Sequence, residues 1–142
     1  MAQALEFVGN HPFLFSALLI ILALVVVNEM WRWRNAQPRL TPTEAVRLIN
    51  SENARVIDLR GSGEYESGHI VNALNIPQDK LDDQLKDLLK RRKKPVLLYC
   101  GNGLTAPRAA ARLVEAGMEQ VYVLKGGIQN WQQAGLPVKR SK

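Results

Sequence analysis

With one cysteine and two histidines in 142 residues, the chain excludes an internal disulfide and a four-cysteine metal site, and its lone thiol fits a reducing compartment. His11 and His69 are too few and too far apart for a zinc cluster. The net charge of +6 suits nucleic acid or anionic lipid, but no nucleic-acid motif and no basic face interleaved with aromatics accompanies it, so lipid is the expected partner.

Much of the 46% hydrophobic content lies near the N-terminus. Phe13 to Val27 is almost unbroken apolar sequence, with Ser16 its only hydroxyl. The run is shorter than the ~20 residues that cross a bilayer core, but Met30, Trp31 and Trp33 extend it, and tryptophan prefers the membrane interface. A helix apolar on all sides has little protein to pack against here, so residues 13–33 are expected to form one membrane span partnered by lipid. A cleaved signal peptide begins with basic residues, whereas Met1 to Pro12 carries Glu6 and no Lys or Arg. Cations follow the span at Arg32, Arg34 and Arg39, so the positive-inside rule predicts an outward N-terminus and a cytoplasmic C-terminal domain. Residues 1–34 thus read as tail and anchor, and 35–40, around Pro38, as a linker.

Thr41-Pro42-Thr43-Glu44 offers an N-cap, a first-turn proline and a capping-box glutamate, predicting a helix through Ile49. Arg55 to Leu59 reads as a buried strand, broken by Gly61 and Gly63, with a short helical turn at 64–66. Ala73 to Ile76 predicts another strand, closed by Pro77. Leu81, Leu85, Leu88 and Leu89 recur at helical spacing, giving an amphipathic helix over Asp79 to Arg91. The run Lys90-Arg91-Arg92-Lys93-Lys94 ends it as a solvated face, with a docking patch for anionic headgroups as the alternative. Gln120 to Leu124 reads as a strand, Gly126-Gly127 as a turn into a helix over Ile128 to Ala134, and 139–142 as a basic tail. Strands alternating with helices make this an α/β domain with a mostly parallel sheet flanked by helices.

The stretch that carries chemistry is Val96 to Arg108. Val96-Leu97-Leu98-Tyr99 reads as a fully buried parallel strand, followed by Cys100, the loop Gly101-Asn102-Gly103-Leu104-Thr105, and a helix for which Pro107 suits the first turn. Sites in open parallel sheets form outside the carboxyl ends of the strands, where a helix N-terminus presents unpaired N–H groups and partial positive charge. A cysteine so placed has its pKa lowered from about 8.5 into the range of roughly 3.5–7.5. Gly101 and Gly103 let successive amides turn inward as an anion nest. Cysteine phosphatases use C-x5-R instead; here the sixth position after Cys100 is Ala106, and Arg108 falls on the helix.

From about Thr41 to Val138 the chain resembles a single rhodanese (sulfurtransferase) domain. The resemblance rests on Val56 to Pro77 (VIDLRGSGEYESGHIVNALNIP), on Gly126 to Val138 (GGIQNWQQAGLPV), and on Cys100 standing in the place of the catalytic cysteine. An apolar segment before one such domain is similar to small membrane-anchored bacterial members, which implies the inner membrane. The resemblance implies a Cys100 persulfide that passes sulfane sulfur to cyanide, a thiol or an acceptor protein, with no cofactor. It implies a substrate-binding cradle from the amides of Gly101, Asn102, Gly103, Leu104 and Thr105, with Asp58 and Arg60 in support. Thr105 is expected chiefly to cap the following helix, His69 to be structural, Trp131 to anchor the core, and Lys125 to border the pocket. Many members carry a cation in the loop and this chain carries none, which disfavours thiosulfate as donor. The alternative is a non-enzymatic sulfur carrier or adaptor that binds another protein, including a membrane protein, at the cytoplasmic membrane face.

Overall fold

The structure, a computed structural model, describes residues 11–34 and 36–141. The N-terminal tail before residue 11, Asn35 of the linker and Lys142 of the basic tail lie outside the described residues. The chain forms two compact units, Met1–Ala36 and Gln37–Lys142.

Among the described residues of the first unit lies one helix, α1 (Pro12–Arg34). Its 23 residues extend about 34 Å, enough for a hydrocarbon core of about 30 Å. It is long and apolar enough to cross a membrane, and side chains from Phe13 to Trp33 are exposed along it. Beyond the apolar run the helix continues, and there Glu29 and Arg32 sit one turn apart and pair at 3.3 Å.

The second unit is built from β1 (Arg39–Leu40), α2 (Pro42–Glu52), β2 (Arg55–Asp58), α3 (Ser62–Ser67), β3 (Leu74–Asn75), α4 (Leu81–Leu89), β4 (Val96–Tyr99), α5 (Ala106–Glu115), β5 (Val121–Leu124) and α6 (Gly127–Gln133). The strands form one sheet in the order β1-β5-β4-β2-β3, and every pairing is parallel. All four residues of the central strand β4 are buried. Alternation along it divides the core. Val96, Leu98 and Cys100 join the apolar cluster that includes Ala106, Ala109, Ala110 and Leu113 of α5. Leu97 and Tyr99 join the other, with Ala45 and Leu48 of α2 and Ile128 and Trp131 of α6. The small side chains of α5 let that helix lie close to the strand bearing Cys100.

Several boundaries differ from expectation for local reasons. Arg39 and Leu40, read as the end of a linker, pair with Val123 and Leu124 as an edge strand too short to carry a periodic signal. The capping box of α2 forms: the Thr41 amide donates to Glu44 Oε2 at 2.7 Å and holds that carboxyl below its usual range. The helix then runs on to Glu52, ended by Asn53 in the left-handed region (φ 50°). Residues at 78–80 form a 3-10 turn before α4 rather than its first turn. At the C-terminus, Lys139 exchanges two backbone bonds with His69, at 2.9 and 2.7 Å, so part of the segment read as a tail is tied to the domain.

Candidate active site

Because all five strands are parallel, their carboxyl ends share one pole of the domain, and Cys100 follows β4 there. The residue is only 4% exposed. The chain then turns through Gly101 to Thr105 before α5 begins at Ala106. The Gly103 amide donates to Cys100 Sγ at 3.1 Å, and the Leu104 amide donates to Asn102 Oδ1 at 3.1 Å, which fixes the turn. Leu104 projects from the apex, 78% exposed.

The second glycine-rich turn holds this loop from behind. The amides of Ile128 and Gln129 donate to the carbonyls of Cys100 and Gly101 at 3.0 and 3.2 Å. With those carbonyls engaged by α6, the amides further along the loop are left to face the sulfur. The contact demands glycine on both sides. Gly103 has φ +85°, and a Cβ there would lie 2.8 Å from the Gly126 nitrogen. Gly127 has φ +62°, and a Cβ there would run into the carbonyl oxygens of Cys100 and Gly101.

These bonds decide the state of the thiol. Burial pushes the Cys100 thiol up, but the Thr105 hydroxyl and the amides of Ala106, Thr105 and Gly103 together bring it below the usual thiol range. Hydrogen bonds to the charged form are therefore the winning effect. Two details depart from the sequence-based expectation. Thr105 occupies the boundary of α5 but makes no side-chain capping bond, and its hydroxyl serves the sulfur instead. The cradle also extends one residue further, to the Ala106 amide at the first position of the helix.

Asp58 ends the neighbouring strand β2 and Arg60 follows it, at the same pole. Asp58 is fully buried, and the Arg60 guanidinium donates to both its oxygens, Nε at 3.0 Å to Oδ1 and Nη2 at 2.7 Å to Oδ2. Arg60 Nη2 also donates to the Gly68 carbonyl at 2.7 Å. Burial works against the Arg60 charge, and the Asp58 carboxylate more than offsets it, raising the pKa. The Tyr99 hydroxyl donates to Asp58 Oδ2 at 2.7 Å and accepts from the Ile70 amide at 3.1 Å. Burial and the adjacent carboxylate push that phenol far above its ordinary range, so it is a permanent donor. The pair thus reaches Cys100 through Tyr99, the residue before it.

The remaining candidates have other partners. His69 is 3% exposed, its Nδ1 lies 2.7 Å from the Tyr65 carbonyl, and its ring stacks on Tyr65 at 3.7 Å. Trp131 is buried, and its indole donates to the Pro137 carbonyl at 3.1 Å. Lys125 is exposed, and Arg108 lies exposed on α5. Among the described residues no group of three or more His, Cys, Asp or Glu is placed to hold a metal ion.

The profile of the family described as Rhodanese-like domain matches residues 41–134. The chain belongs to the rhodanese family. Among relatives of this rhodanese, the uncharacterized protein YibN of Escherichia coli strain K12 is 36% identical over 143 residues, covering 100% of both chains. The thiosulfate sulfurtransferase GlpE of Coxiella burnetii strain RSA 331 is 36% identical over 93 residues, 66% of this chain and 85% of that protein. A crystal structure of a rhodanese-related protein from Thermoplasma volcanium aligns with a TM-score of 0.65 at 28% identity, over 72% of this chain and 97% of that one. Rhodanese-domain relatives therefore include thiosulfate sulfurtransferases.

Three contributors to the rhodanese loop escaped the sequence reading: the Ala106 amide, the Gly126-Gly127 buttress and Tyr99. A backbone donor leaves no side-chain signal. The glycine pair was visible as a turn, but its contact with residues 100–103 is a long-range fact. Tyr99 read as one more apolar residue of a buried strand; only a hydroxyl in a stretch with no local partner marked it.

Proposed function

We propose that the protein is a sulfurtransferase in which Cys100 carries sulfane sulfur, anchored by α1 in the bacterial inner membrane with its N-terminus outward and its rhodanese domain in the cytoplasm. The observation that carries this reading is the Gly103 amide donating to Cys100 Sγ at 3.1 Å, in a loop whose Thr105 hydroxyl and neighbouring amides favour the thiolate. The thiolate attacks the outer sulfur of a donor. A Cys100 Sγ–S bond forms, the donor's S–S bond breaks, and the leaving group (sulfite from thiosulfate, a shortened chain from a polysulfide) departs with the electron pair. The terminal sulfur of the persulfide then carries the negative charge, and preorganised amides stabilise it as they do an oxyanion. Cyanide or an acceptor thiolate attacks that sulfur and restores the Cys100 thiolate, so no external oxidant or reductant enters the cycle. The loop offers no cation to grip a dianion, which favours polysulfide or persulfide donors over thiosulfate.

A second reading, a sulfur carrier or adaptor without turnover, draws on the near-complete burial of Cys100 beneath an exposed Leu104. Intact-protein mass spectrometry of the full chain in detergent separates the two. After incubation with polysulfide, the expected result is a gain of one sulfur atom that reductant removes and that Cys100→Ser lacks; cyanide discharges it. A folded protein that acquires no sulfur from polysulfide or thiosulfate contradicts the enzyme reading and favours the adaptor.

A further inference from the structure

The pole opposite Cys100, where the strands begin, carries the basic turn Lys90–Lys94. Four of its five cations are exposed and Lys94 is half-buried. Lys90 pairs with Asp87 at 2.6 Å and Arg92 with Glu119 at 3.8 Å, while Arg91, Lys93 and Lys94 form no ion pair among the described residues. The turn curls around a cavity of about 600 Å3 lined by Leu89 and the five cations. Backbone bonds fix it at the strand starts: the Arg92 carbonyl accepts from the Glu119 amide at 3.1 Å, and the Pro95 carbonyl from Arg55 at 2.8 Å. Arg55, paired with Val96 at the start of β4, adds charge at this end. Against these six cations stand Asp87 and Glu119 with Glu52 and Glu115, which end helices returning to the same pole.

The polypeptide also enters the domain at this end. The Pro38 carbonyl accepts from the Val123 amide at 3.0 Å, so the segment before β1 runs alongside β5, whose flanking Gln120 donates to the Lys93 carbonyl at 3.5 Å. Four residues separate Arg34 from Arg39, a reach of at most about 18 Å. A cationic concavity on so short a tether from a membrane span meets the anionic cytoplasmic leaflet before any soluble polyanion.

We propose that this pole, centred on Lys90–Lys94, docks on anionic phospholipid headgroups and so turns the Cys100 loop toward the water phase. The inference rests on the membrane-anchored reading above, and its test separates the two. The full chain is reconstituted into vesicles of phosphatidylcholine, alone or with a third phosphatidylglycerol, and lysine acetylation by a membrane-impermeant reagent is followed by mass spectrometry. Lys125, exposed after β5 at the Cys100 pole, is the internal reference. The expected result is acetylation of Lys90, Lys93 and Lys94 slowed about fivefold or more by phosphatidylglycerol, with Lys125 unchanged and the protection removed at ~0.5 M salt, where screening is short-ranged. In Arg91→Gln/Lys93→Gln/Lys94→Gln, Lys90 loses its protection. A chain that does not float with vesicles overturns the anchor and the docking together. A chain that floats but shows equal acetylation in both vesicles, or protection in neutral vesicles on adding inorganic phosphate alone, overturns the docking and leaves the anchor standing.

Discussion

Two loops leave neighbouring parallel strands at the same pole of this domain and use their polar groups in opposite ways. At the end of β2, Asp58 and Arg60 close on each other, and Tyr99, Gly68 and Asn75 bond to the polar groups around them. After β4, the Thr105 hydroxyl and backbone amides converge on a single sulfur that brings no charge partner of its own. The first arrangement is closed and holds the strand ends in place. The second is open, because hydrogen bonds that favour an anion remain unspent on any other anion. Full charges paired at a strand end make a scaffold; unpaired dipoles at the next strand end make a reactive centre.

Breaking the closed loop is expected to have the largest effect on stability. Asp58→Ala leaves the Arg60 guanidinium buried without its carboxylate, and loss of one member of a buried pair costs about 3–5 kcal/mol. Chemical denaturation of the full chain in detergent checks this. A loss below 1 kcal/mol would mean that the pair is not closed as described. The junction between the start of α6 and the loop after β4 comes next. Gly127→Ala forces a Cβ into the Cys100 and Gly101 carbonyls at φ +62°, and strain of this kind costs about 1–3 kcal/mol. Persulfide formation is expected to fall more steeply than the melting temperature, because the displaced carbonyls release the amides that face the sulfur. Equal activity at lower stability would break the link between the buttress and the cradle.

Sharpening the comparison needs a smaller change in the open loop. Thr105→Val removes one hydroxyl donor and keeps the amides, so the pH midpoint of Cys100 reactivity is expected to rise by about one unit or less. Titrating the variant's reaction with a thiol alkylator measures this. An unchanged midpoint would return Thr105 to a purely structural position at the start of α5.

Much of this arrangement was legible in the sequence where the signal was local. The strand–cysteine–glycine–helix order around Cys100 follows from an apolar run, two glycines and Pro107, and the parallel α/β fold follows from the alternation of strand and helix patterns. Thr41 and Glu44 announced their capping box because its parts lie three residues apart. What stayed hidden was set by tertiary contact. Arg39-Leu40 is a strand only because β5 lies beside it. Tyr99 is polar in effect only because Asp58, 41 residues away in sequence, accepts its hydrogen bond. The role of Thr105 turned on competition between a helix cap and a sulfur, which spacing does not decide.

The central claim is that the Thr105 hydroxyl and the loop amides, without a cation, favour the thiolate of Cys100 and hold its pKa below the usual thiol range. Because Cys100 is the only cysteine, the pH dependence of iodoacetamide alkylation of the folded full chain reads this site alone. The account predicts a single titration with its midpoint below that of an unperturbed thiol, about 8.5, with the rate falling as pH drops through the midpoint and with denaturant moving it upward. A midpoint at or above the unperturbed value in the folded protein would contradict it.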